Sequence, residues 1–200
     1  MKYIVEHMEE EVYEWCQLEY SHMSQVVGKD NLLFTKVPQE HIKDMPENVS
    51  KELCSQKDIL DLGLPFDRIC LLDQESDKVL APEDVSEFDY VLFGGILGDE
   101  DTEAIDCIVK DRTIELRKLG FKSRNLGKEQ MTTDHAVLTT KLILEDKIKF
   151  NDIQFADNPE IKFNKNESTI MPFRYVKDAQ GEPRIAPGMK ALLKKQTLEF

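Results

Sequence analysis

The sequence predicts an α/β fold built on a mostly parallel sheet. Through the first 150 residues, short β-branched or aromatic runs alternate with stretches whose apolar residues recur at helical spacing. Two of the strand-like runs end in glycine, at Phe93-Gly94-Gly95 and at Leu126-Gly127, where a parallel sheet opens its carboxyl ends to a ligand. A length of 200 residues with 40% hydrophobic content is enough for one filled core.

Residues 2–6 (Lys-Tyr-Ile-Val-Glu) read as the first strand. A helix is expected at once after it, because Met8, Val12, Cys16, Tyr20, Met23 and Val27 recur every three or four residues. Glu9, Glu10 and Glu11 would then sit in its first turn, opposite the positive end of the helix dipole, and Gly28 would stop it. Asn31–Val37 is the second expected strand, Arg68–Leu72 the third and Asp89–Phe93 the fourth. Between the second and third, the polar stretch carries one expected helix near 47–61.

Asp99–Asp106 reads as an acidic loop, Asp111–Leu119 as a helix ended by Gly120, and Phe121–Leu126 as a fifth strand ended by Gly127. Thr133 or its neighbour caps a helix over about 134–147, with Val137, Leu144 and Ile148 on its apolar face. Beyond residue 150 the pattern changes. Isolated Ile, Phe and Tyr residues sit among Pro159, Pro172, Pro183 and Pro187, which predicts two or three short strands with turns and a last helix from about Pro187. The chain is thus expected to divide into a main domain, 1–150, and an extension, 151–200, that packs near the active site.

Charge narrows the function. Lys and Arg number 26 against 39 Asp and Glu, a net charge of −13. A broad nucleic-acid-binding face needs a basic footprint, so this balance argues against one and favours basic partners. The asymmetry is strong: residues 1–110 hold 26 acidic and 9 basic side chains, and 14 of the acidic ones lie between Asp61 and Asp106. Cys16, Cys54, Cys70 and Cys107 show no CxxC spacing, and the four histidines are dispersed, so no metal site is expected. No apolar run is long enough to span a membrane and the N-terminus lacks a signal-peptide pattern, which points to the cytoplasm.

Three segments carry possible chemistry. Phe93-Gly94-Gly95-Ile96-Leu97-Gly98-Asp99 is either a ligand turn or a plain tight turn; it lacks the G-x-G-x-x-G order, and no P-loop occurs anywhere. Asn125–Asp134 is a second strand, glycine turn and helix start, whose free N–H groups suit a ligand's acceptors or serve an ordinary connection. Phe163–Tyr175 mixes amides, Glu167 and aromatics in a way unusual for a structural turn, although a hairpin with Asn and Pro at its bends is the plain reading.

Taken in order, Lys2–Ile4 with Glu6–Glu10, Phe93–Asp99, Leu126-Gly127 with Gln130–Asp134, Phe163–Glu167 and Met171–Val176 resemble the SPOUT superfamily of S-adenosylmethionine-dependent methyltransferases. The chain is most similar to the fungal SPOUT-class protein arginine methyltransferases that modify a small-subunit ribosomal protein. The match is weakest over 38–66 and 100–109. The resemblance implies a C-terminal trefoil knot, a feature no composition could show. It also implies that two loops wrap the cofactor: Leu92, Phe93, Gly94, Gly95, Leu97 and Gly98 from one, and Leu126, Gly127, Met131, Thr132 and Thr133 from the other. A monomer acting on a basic ribosomal protein, with no direct nucleic-acid contact, completes the expectation.

Methyl transfer to arginine also has a chemical requirement. The guanidinium stays protonated up to about pH 12, so a carboxylate is needed to orient it and to offset its charge. Asp99, Glu167 and Glu9 are the candidates; Glu9 serves equally as a dipole-compensating surface residue, and Asp134 and His7 as structural ones. Two other functions compete: an RNA methyltransferase, which should show a basic surface where this chain has Asp99-Glu100-Asp101, and a non-enzymatic binder of a basic ribosomal protein, which has no need of two glycine turns.

Overall fold

The computed structural model describes residues 1–95, 113–165 and 167–197. Five parallel strands form its centre: β1 (Lys2–His7), β2 (Leu32–Thr35), β3 (Ile69–Leu72), β4 (Tyr90–Gly95) and β5 (Lys122–Arg124), in the order β2-β1-β4-β3-β5. Helices α1 (Glu14–Val27), α2 (Thr113–Lys118) and α3 (Thr133–Leu144) flank the sheet. The expected fold class, a mostly parallel sheet between helices, is what the chain adopts.

Strand alternation sorts the side chains into two cores. Tyr3, Val5, Cys70, Val91 and Phe93 point to one face, where Cys16, Tyr20, Met23, Val137 and Leu138 of α1 and α3 cover them. Ile4, Ile69, Leu71 and Leu92 point to the other, against Ile59, Leu116 and Phe121. The first core is the larger, and the pairing of α1 with α3 on that face places the start of α3 beside the ends of β1 and β4.

Several boundaries differ from the sequence pattern. The first helix starts at Glu14, so Glu9–Glu11 lie in the bend ahead of it and not in its first turn. Those residues are needed as connection, carrying the chain from the sheet's carboxyl edge to the flanking layer. The apolar stripe holds from Cys16 onward, and Val12 is buried from the connection. No helix spans 47–61; 3₁₀ turns at Lys51–Leu53 and Leu60–Leu62 take its place, and a bridge between Phe34 and Cys54 draws that stretch to the edge of β2. The α3 helix stops at Leu144, leaving Ile148 beyond it but still against the core. Asp99–Asp106 lies outside the described residues.

After residue 150 the chain forms β6 (Phe155–Asp157), β7 (Glu160–Lys162), β8 (Ser168–Ile170), β9 (Arg174–Val176) and α4 (Met189–Thr197). The pairs β6–β9 and β7–β8 are antiparallel. This tail has its own apolar cluster, from Ile161, Met171, Tyr175, Met189 and Leu192, which packs on Trp15 and Leu18 of α1. His135 of α3 bonds β9: the Val176 N–H donates to its Nδ1 at 3.0 Å, so the proton sits on Nε2, which donates to the Arg184 carbonyl at 2.7 Å. Among the described residues no helix is long and apolar enough to cross a membrane.

Candidate functional site

A cavity of about 190 Å³ opens where the strands end. Phe93 and Gly94 form its β4 wall; Leu72 ends β3, and Asp73 and Gln74 follow it; Leu126, Gly127 and Glu129–Thr133 come from the turn between β5 and α3 and from the first residue of α3. Trp15 and Glu19 of α1, Ala136, Thr113 and Phe173 of the tail complete the lining. Carboxyl ends of parallel strands are where such sheets accept ligands, because the loops there are free to diverge.

Each wall is held by local chemistry. Asn125 shapes the β5–α3 turn: its Oδ1 accepts from the Gly127 N–H at 2.9 Å while its Nδ2 donates to the Ser76 carbonyl at 2.7 Å. Gly127 has φ +85°, and a Cβ there would come within 2.8 Å of the Phe150 ring. The turn is fastened to the tail by the Arg174 N–H, which donates to the Gln130 carbonyl at 2.7 Å. Thr132 donates from Oγ1 to Asp134 Oδ1 at 2.5 Å, and Thr133 Oγ1 reaches the Gly94 carbonyl at 3.5 Å, joining the two walls.

Buried charge surrounds the cavity. Asp73 accepts two bonds from Arg117, each 2.6 Å; burial raises its pKa, but the guanidinium outweighs burial and holds it below the ordinary carboxylate range. Asp134 is buried 2.7 Å from His22 Nδ1; burial opposes its ionisation, and His135 and His22 overcome it, so its pKa is lowered. Glu19 goes the other way. Burial, then the neighbouring Asp134, push it well above the usual carboxylate range, and the Trp15 Nε1–H at 2.7 Å and the backbone of Asp134 and Thr133 offset this only in part.

Of the residues expected to hold a ligand, Phe93, Gly94, Leu126, Gly127, Met131, Thr132 and Thr133 come together around this cavity. Leu92 does not; strand alternation turns it into the core on the opposite face. Gly95 is buried one residue past the wall, with a hypothetical Cβ only 2.9 Å from the Glu6 carbonyl. Leu97, Gly98 and Asp99 lie outside the described residues. Glu9, in the bend before α1, and Glu167, which bonds Asn164 at the β7–β8 turn, are not among the residues that line the cavity. Trp15, Glu19, Asp73 and Gln74 line the cavity without belonging to any of the three segments singled out in the sequence. A signal for Glu19 was present: it stands between Cys16, Tyr20 and Met23 on the apolar stripe of α1, where a carboxylate is out of place.

Comparison with known proteins covers the whole chain. A family model described as SFM1-like, protein arginine N-methyltransferase SFM1-like, matches residues 2–199. Protein arginine N-methyltransferase SFM1 of Saccharomyces cerevisiae is 46% identical over 213 residues, which cover 100% of this chain and 97% of the yeast protein. The crystal structure of the yeast arginine methyltransferase SFM1 complexed with SAM superposes with a TM-score of 0.85 at 44% identity, covering 98% of this chain and 91% of that one. Its complex with SAH gives 0.82 at 42% identity, over 96% and 94% of the two chains.

Proposed function

The chain belongs to the SFM1-like family of protein arginine N-methyltransferases, and on that premise we propose that it methylates an arginine of a basic ribosomal protein of the small subunit, using S-adenosylmethionine. The observation that carries this reading is the charge of the cavity: among the described residues its lining holds Glu19, Asp73 and Glu129 but no Lys or Arg. Such a lining suits a sulfonium cofactor and a guanidinium substrate, and it offers a phosphate no cationic side chain.

The residues present fit that cofactor. When bound, S-adenosylmethionine supplies a methyl group on an electron-poor sulfonium. Phe93, Leu126 and Met131 would cover its adenine, with backbone groups of the Gly127 turn and the polar side chains Gln130, Thr132 and Thr133 for its polar atoms. Gly127 leaves open the space that a side chain would take from Phe150 and the turn. Displacement at a methyl group depends on alignment, so the walls contribute by holding the reactants in line.

The trefoil knot belongs to the same proposal, as do the domain limits 1–150 and 151–200. In support, β3 lies between β4 and β5 in the sheet, yet Thr133, soon after β5, bonds Gly94 of β4. The chain therefore crosses back over the end of β3. Asp99, Glu167 and Glu9 stay candidates for a carboxylate that serves the substrate; Glu9 and Glu167 do not line the cavity, and Asp99 lies outside the described residues. A cytoplasmic monomer is the state proposed: Cys16, Cys54 and Cys70 are free thiols, as in a reducing compartment, and the tail covers one side of α1.

The test is direct. The purified protein with labelled S-adenosylmethionine and dissociated small ribosomal subunits should label one protein band. Label in the rRNA would overturn the substrate assignment.

A further inference from the structure

Among the described residues four carboxylates are buried: Glu6, Glu19, Asp73 and Asp134. Three of them face a basic side chain within 4 Å. Glu6 meets Lys36 at 2.7 Å and also accepts from Thr35 Oγ1 and the Ile59 N–H; Asp73 has Arg117; Asp134 has His22. Glu19 has none within 4 Å among the described residues, although it is only 5% exposed. A buried carboxylate without a counter-charge is costly, and folds keep one where a ligand supplies the missing charge.

Its position gives the ligand. Glu19 and Trp15, one helical turn apart on α1, form one side of the cavity, while Gly94 and the Leu126–Thr133 turn, assigned above to the cofactor, form others. We propose that Glu19 is the carboxylate that binds the guanidinium of the substrate arginine. The inference rests on the methyltransferase reading above and names the group in the same cavity that receives the substrate. The Trp15 indole N–H bonds Glu19 Oε1 and thereby fixes the carboxylate's direction. Trp15 is also among the residues that line the cavity, and an indole is a side chain on which a guanidinium can stack. An arriving guanidinium would supply the positive charge that the site lacks and restore the ionised carboxylate that burial and Asp134 disfavour.

A purely structural role for Glu19 is the competing explanation, since the backbone amides at the start of α3 approach it. Glu19→Gln separates the two, because it keeps an oxygen for Trp15 and removes only the charge. Three quantities are compared between this variant and the parent protein: melting temperature, affinity for S-adenosylmethionine by calorimetry, and methyl transfer to small-subunit ribosomal proteins.

The expected result is an equal or higher Tm, cofactor affinity within about threefold, and transfer lowered about 100-fold. A lowered Tm with transfer near parental would assign Glu19 to the α3 cap and overturn the proposal. So would a tenfold loss of S-adenosylmethionine affinity with unchanged affinity for its uncharged thioether product, which would make Glu19 the counter-ion of the sulfonium. Should Glu19→Gln not fold, Glu19→Asp keeps the charge and shortens its reach: folded protein with transfer down at least about tenfold supports the assignment, and parental transfer overturns it. If the parent binds the cofactor yet methylates no protein, the activity reading falls as well; if the parent transfers and Glu19→Gln does too, only this inference falls.

Discussion

The two glycine-bearing walls of the cavity are built in opposite ways. The β4 wall is held from inside the sheet: Gly94 and Gly95 pair with Glu6 and His7 of β1, and Gly95 has no room for a Cβ because the Glu6 carbonyl stands 2.9 Å away. The β5–α3 wall is held from outside. Gly127 takes φ +85°, Phe150 packs over it, and Arg174 of β9 bonds Gln130. One wall is as rigid as the sheet, and the other depends on the tail being docked. The tail, remote in sequence from either glycine turn, is therefore part of the site's shape.

That contrast breaks most readily at Gly95. Gly95→Ala must displace sheet backbone, and we expect a stability loss of about 3 kcal/mol by urea unfolding; a loss under about 1 kcal/mol would show that the β4 wall yields. Gly127→Ala should cost less stability, about 1–2 kcal/mol from the left-handed backbone and the ring contact. Its larger effect is on the ligand, with S-adenosylmethionine affinity down at least about tenfold by calorimetry. Adding Phe150→Leu to Gly127→Ala should restore part of both. No restoration would place the fault in the backbone angle alone.

Acid should loosen the outer wall through His135. Burial lowers its pKa below the ordinary 6.5, against the raising effects of Asp134 and of the hydrogen bond to the Arg184 carbonyl; the charges of His22 and Arg184 add to the lowering, and the Tyr175 ring packs edge-on against it. The unfolded chain thus takes up the proton first as pH falls. Stability from this group is full above about pH 6.5 and is lost progressively as pH falls below it. Protonated Nδ1 can no longer accept the Val176 N–H, so amide exchange at Val176 should quicken over the same range while β4 amides hold. Equal quickening in β4 would mean the walls loosen together. The smallest effect belongs to Arg174→Lys, which loses the two-pronged bond to half-exposed Asp157 and the Phe155 stack: about 0.5–1 kcal/mol in a thermal melt.

Much of this architecture was legible locally. The strands around Tyr3–Val5, Ile69–Leu72 and Tyr90–Phe93 are β-branched or aromatic, and their pattern needs no tertiary information. Gly127 and Thr132–Thr133 stood out because a turn with free N–H groups has a recognisable composition. The spurious helix at 47–61 had the opposite cause: weak helical spacing in a segment whose backbone instead follows the edge of β2. The early start given to α1 came from reading Met8 and Val12 as helical when a connection also buries them or half-buries them.

What the amino-acid sequence alone determined is the parallel strands, the helices that flank them, the acidic balance and the glycine turn at Gly127, because each depends on neighbours within a few residues. Which carboxylate faces the cavity was decided by tertiary structure. Glu9, Glu19 and Glu167 carry the same group, and only the packing of α1 against α3 and the tail puts Glu19 in the lining, without a cationic partner among the described residues, while Leu92 is turned away by the pleat. A side chain's charge belongs to the sequence, but the desolvation and the counter-charges that give it a function come from residues far apart in the chain.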